Sequence, residues 1–121
     1  YQANPHSESL KNGLAISYNK LGLLWLERGN LERALEYLQE DLKLTEELAA
    51  ANPESHSWQN NLYYSWRDVG KIQEKLGNAE EALRLYQQAE QGWQSLWEQT
   101  GLPQIKQDLD WVQARISELE R

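Results

Sequence analysis

Apolar side chains return every three or four positions along most of the chain. Leu10, Leu14, Tyr18, Leu21 and Trp25 form one such set, and Trp58, Leu62, Trp66 and Val69 form another. A further set is Leu31, Ala34, Leu35, Leu38 and Leu42, and its counterpart is Ala79, Ala82, Leu83, Tyr86 and Ala89. Ile105, Leu109, Val112, Ile116 and Leu119 make the last. That spacing places each set on one stripe of a helix. The breaks fall between the sets. Gly29 and Gly77 suit a left-handed C-terminal residue, and Asn30 and Asn78 suit the cap of the following helix, with Glu81 completing a capping-box-like pair in the second case. Asn4-Pro5, Asn52-Pro53 and Gly101-Leu102-Pro103 mark further helix starts, because proline is tolerated only in the first turn. The pattern predicts five helices, over 6–28, 31–50, 54–76, 79–100 and 103–120.

Two of these helix pairs are copies of one another. A shift of 48 positions sets Leu14 on Leu62, Gly22 on Gly70, Gly29-Asn30 on Gly77-Asn78 and Ala34-Leu35 on Ala82-Leu83. Dropping one residue sets Gln107-Asp108-Leu109 on Asn60-Asn61-Leu62 and Ile116 on Val69, a third and partial copy. Repetition at a fixed period in this range marks stacked units that cannot bury their apolar faces alone. The expected fold is all-α, an α-solenoid of antiparallel helix pairs: one domain with repeats at 4–51 and 52–99 and a capping helix at 103–121. The cap has one apolar stripe and an otherwise polar surface that includes Gln107, Asp108, Asp110 and Glu118. Tyr1-Gln2-Ala3 is in register with Ala49-Ala50-Ala51, the end of a second helix, so a fragment of a larger protein is expected.

The copies resemble the tetratricopeptide repeat. Its aromatic, leucine-glycine, turn glycine and early alanine are Tyr18, Leu21-Gly22, Gly29 and Ala34 in the first copy, and Trp66, Val69-Gly70, Gly77 and Ala82 in the second. The small residues let helices approach while the aromatics fill the wider gaps. Asp41 departs from the pattern at a place usually given to alanine, Gln73 stands where the first copy has Trp25, and the closing proline is missing. These repeats run to about 34 residues. Adding a heptad to each helix rotates its face by only about 20°, so the resemblance is to an elongated variety.

Charge and chemistry narrow the function. Nineteen acidic residues against 12 basic ones give a net charge of −7, which disfavours nucleic acid and anionic membranes as partners. No apolar run approaches the roughly 20 residues that span a bilayer. Cysteine is absent, so disulfides and thiolate metal sites are excluded; the compartment stays open, with the cytoplasm the favoured expectation. There is no phosphate-binding glycine loop, zinc-binding helix motif or cysteine nucleophile. His6 and His56 fall at predicted helix starts, where an exposed side chain is expected rather than a metal pair, and Asp108 and Asp110 point in different directions. No catalysis, cofactor or metal is expected.

Of the six tryptophans, Trp58 and Trp66 lie on a stripe and read as core, and Trp93, with Leu96 and Trp97, reads as filling between the fourth helix and the cap. Trp111 falls off the seam. The resemblance implies a ligand groove lined by the first helix of each pair, at positions six before, three before and one after the signature glycine. These are Ile16, Asn19 and Leu23, then Tyr64, Arg67 and Lys71, then Trp111, Ala114 and Glu118, with Arg115 at the edge. The expected function is a protein-interaction scaffold whose groove takes a peptide or protein segment with acidic and apolar groups, Arg67 and Lys71 supplying charge and Tyr64 and Trp111 contact area. In the opposing reading Arg67 and Lys71 pair with acids such as Asp68 or Glu74. Two alternatives accompany the groove: a module that stacks on further repeats or on a second copy of itself, and, as the resemblance implies for multidomain bacterial proteins, the sensor or docking arm of a larger signalling or catalytic protein.

Overall fold

A computed structural model describes residues 5–121, and in it every regular element is a helix: α1 Pro5–Glu27, α2 Leu31–Ala51, α3 His56–Lys75, α4 Ala79–Thr100 and α5 Pro103–Leu119. Asn4, the register of Tyr1-Gln2-Ala3 and the side chain of His6 lie outside the described residues. Each helix packs on its neighbour in the chain, α1 on α2, α2 on α3, α3 on α4 and α4 on α5. Short connections between long helices enforce this antiparallel order, and the result is the expected all-α helical repeat.

The turns show why the helices stop where they do. Gly29 and Gly77 have φ of 79° and 88°, a conformation costly for any residue with a Cβ. Asn30 accepts the Arg33 backbone N–H at 3.1 Å, as a helix cap should. Asn78 does not. Its amide is turned back to donate to Oε1 of the buried Gln73 at 2.7 Å, and the Glu81 carboxylate is engaged by Arg84, so the expected capping pair does not form. The start of α3 also differs from expectation. Asn52 still closes α2, donating its side-chain amide to the Leu48 carbonyl, so Pro53 lies in the turn and Ser55 caps the helix by accepting the Trp58 N–H. Pro103, by contrast, opens α5 as its sequence suggests.

Two buried clusters hold the stack together. One joins Ala34 and Leu38 of α2 to Val69 and Ile72 of α3 and Leu85 of α4. The other joins Ala82, Tyr86, Ala89 and Trp93 of α4 to the Ile105–Leu109–Val112–Ile116 seam of α5. Trp66 packs against both and so couples them, although it is only partly buried. Trp93 is fully buried, meets the rings of Tyr63 and Tyr64 edge-on, and donates its Nε1–H to Asn60 at 2.8 Å. Close approach depends on the small residues: an added Cβ at Gly22 would lie 2.6 Å from the Leu38 side chain, and one at Gly70 would lie 2.9 Å from the Tyr86 ring.

The expected stripe on α1 is corrected. Tyr18 and Trp25 turn inward, but the packed face runs through Ala15 and Gly22 and leaves Leu10, Leu14 and Leu21 in solvent. Small residues win this face because they allow α2 to come close, and the larger leucines are rotated away. Asp108 is corrected in the other direction. It is buried, where it accepts a hydrogen bond from the Tyr64 hydroxyl, whereas Asp110 stays exposed and pairs with Lys106.

Candidate functional site

The predicted groove positions fall into two neighbouring groups. In the first, α1 and α3 flank an open cavity of about 460 Å³ with α2 as its floor. Ile16, Asn19 and Leu23 line it from α1, and Tyr64 and Arg67 from α3. Ile16 and Leu23 are exposed apolar side chains here, a surface that water covers poorly. Trp58 also lines the cavity, half-buried rather than in the core where its stripe placed it.

Arg67 is held twice. Its Nε and Nη2 donate to Asp68 Oδ1 at 3.1 and 2.9 Å, and its guanidinium lies 4.7 Å over the Tyr64 ring. The Tyr64 ring is fixed in turn by its bond to Asp108 and by Trp93 behind it. Burial first, then the adjacent Asp108 carboxylate, push the Tyr64 hydroxyl above its ordinary pKa, so it remains a donor at neutral pH.

The second group lies between α3 and α5. Lys71 Nζ sits 5.6 Å over the Trp111 ring, and Trp111 meets Tyr86 edge-on at 5.7 Å. Lys71 forms no ion pair among the described residues. Arg115 does: it is paired with Glu74 and with Glu118. Glu74 also accepts from the Tyr86 hydroxyl at 2.9 Å, and burial pushes that hydroxyl up to about 12. Ala114 and Glu118 are exposed nearby on α5.

Sequence reasoning missed the floor of the cavity. Asp41 and Thr45 rise from α2 between the two flanking helices, and Asn12, Asn61 and Ser65 add polar groups along the walls. Asp41 Oδ2 accepts from Asn19 Nδ2 and Oδ1 from Thr45 Oγ1, each at 3.2 Å. Desolvation raises its pKa above the ordinary carboxylate value, against the lowering effect of those two hydrogen bonds. The signal available beforehand was its departure from alanine in an otherwise regular pattern.

A second, more polar cavity of about 410 Å³ lies at the α2–α3 turn, where His56 Nε2 and Gln99 Oε1 are 3.0 Å apart. Among the described residues no three acidic, histidine or cysteine side chains gather as a metal site would require, and no helix is long and apolar enough to cross a membrane.

No curated protein and no solved structure matches the chain. A family model does: residues 14–54 match the one described as Tetratricopeptide repeat. The match takes in α1 from Leu14 onward, the Gly29 turn and the whole of α2, and over those residues the chain carries a tetratricopeptide repeat.

Proposed function

We propose that the chain is a protein-interaction scaffold, without catalysis of its own, that holds a segment of a partner polypeptide in the groove running from the α1–α3 cavity to the Lys71–Trp111 cluster. On this reading 4–51 and 52–99 are its two repeats and 103–121 closes the stack. Tetratricopeptide repeats as a family are non-catalytic scaffolds that mediate protein–protein interaction. The observation that carries the reading is the α1–α3 cavity itself, open, mixed in character and lined by five of the groove positions, Ile16, Asn19, Leu23, Tyr64 and Arg67. At the Trp111 end Lys71 is the cation left for partner carboxylates, since Arg67 and Arg115 are already paired within the chain. Trp111 offers a broad contact face beside it.

The test is selection from a random peptide display library against the wild type and against Lys71→Glu. Enrichment of acidic peptides by the wild type and their loss from the variant supports the groove. No enrichment by either protein refutes it.

A second reading rests on α1. Six of the eight large hydrophobic side chains exposed among the described residues lie on this helix: Leu10, Leu14, Ile16, Leu21, Leu23 and Leu24. On α3 the corresponding stripe, through Val69 and Ile72, is covered. A second copy of the chain, presenting its own α1, would cover Leu10, Leu14, Leu21 and Leu24 and leave Ile16 and Leu23 to the groove.

A further inference from the structure

Asp41 is a buried carboxylate without a cation. It is 6% exposed, and its two partners are the neutral donors Asn19 and Thr45 at the long end of hydrogen-bond distance. A carboxylate has about four acceptor sites, so roughly half its capacity is unused by the chain, and Asp41 lines the cavity. No lysine or arginine pairs with it among the described residues. The other charges lining the cavity do not compensate for it. Arg67 is committed to Asp68 through two hydrogen bonds, and Lys20 is exposed. Once the Arg67–Asp68 pair is set aside, Asp41 is the charge at the floor and Lys20 the charge on the exposed α1 wall, although Arg67 and Lys71 make this face look wholly cationic in the sequence.

The other wall residues agree with the negative sign of Asp41. Trp58 supplies aromatic surface and Asn61 and Ser65 supply side-chain oxygens, while the Tyr64 ring is already faced by Arg67. Aromatic faces and neutral oxygens around a carboxylate suit an alkylammonium or guanidinium group, and a partner carboxylate placed there would face both Asp41 and Asp68. We propose that the floor of the α1–α3 cavity is a pocket for a lysine or arginine side chain of the bound segment, with Asp41 as its counter-charge. This rests on the groove reading and refines it: the partner segment is bipolar, basic over Asp41 and acidic toward Lys71, and the two charges fix its direction.

The experiment compares peptides selected from a random display library by the wild type and by Asp41→Asn. Asparagine keeps the shape, accepts the Thr45 hydroxyl and can pair with the Asn19 amide. The wild type is expected to enrich peptides with lysine or arginine at one position. A synthetic peptide from that set should bind Asp41→Asn about tenfold or more weakly, the loss of one charge-assisted hydrogen bond. Replacing its basic residue by norleucine should cost the wild type a similar factor and cost Asp41→Asn little more, because both changes remove one interaction. Enriched peptides with no basic position, or equal affinity for both proteins, overturn the pocket and leave the groove standing. No enrichment at all overturns both. Should Asp41→Asn fail to fold, the norleucine peptide on the wild type decides alone, and undiminished binding overturns the pocket.

Discussion

Gly70 sits against the Tyr86 ring and the Leu85 Cβ with no space for a side chain. Gly70→Leu should therefore overpack the α3–α4 contact and destabilise the fold by about 1–3 kcal/mol, and an unchanged thermal midpoint would refute that packing. Asp41 gives a prediction with the opposite sign. Desolvation by burial sets its folded-state pKa above the unfolded value, so the folded state binds this proton more tightly. The contribution to stability is thus greatest in acid, falls as pH rises between the two values, and is a cost at neutral pH. Asp41→Asn should melt above the wild type at pH 7, with the gain shrinking toward and below the ordinary carboxylate value; melting curves across that range check it. The two residues differ in how far the sequence announces them. Gly70 has a twin in Gly22, and a small residue recurring at the same place in two helix pairs declares a close approach. Gly92 faces the Tyr63 ring more tightly still but has no such twin, and the burial of Asp41 depends on α1 and α3 closing over α2, which spacing along one helix does not encode.

The helices themselves, the turns at Gly29 and Gly77 and the seam of α5 were legible because periodicity and turn chemistry are local. The face that α1 presents was not. This helix is apolar on more than one side, and which side packs depends on the neighbours present. Ala15 and Gly22 meet α2, while Leu14 and Leu21 are 51% and 38% exposed. Exposed leucine rows of this kind are uncommon on a solitary folded chain. If a second copy covers them, the wild type should show a mass near twice 14.2 kDa with rising concentration. Leu14→Glu with Leu21→Glu should hold the chain at the single mass without lowering its helicity, because neither side chain supports the core. A wild type that stays at the single mass throughout sedimentation equilibrium would exclude self-association through this ridge.

Across the whole molecule, the main packing joins consecutive helices, with side-chain contacts such as Tyr64–Asp108 and Arg115–Glu74 bridging α3 and α5, so stability is distributed along the stack and set by how many sides of each helix are covered. The helix α4 is covered by both α3 and α5, and it supplies Ala82, Leu85, Tyr86, Ala89, Trp93 and Leu96 to the buried clusters. At the other end, α1 packs chiefly on α2, and Ala15 is its one buried apolar side chain among the described residues. The proposed groove would span this gradient: its Asp41 end leans on the weakly covered α1, and its Trp111 end is anchored beside Tyr86 and the second cluster. Local opening follows the same gradient, since helices with few buried contacts open without unfolding the rest. Native-state amide exchange on a dilute sample, where α1 is uncovered, should thus be fastest in α1 and slowest in α4. A groove-binding peptide that bridges both ends should slow exchange most in α1, because ordering that helix is part of forming the site. Equal protection of α1 and α4 in the free protein would mean that the stack folds as one unit and that its Asp41 end is as rigid as its core.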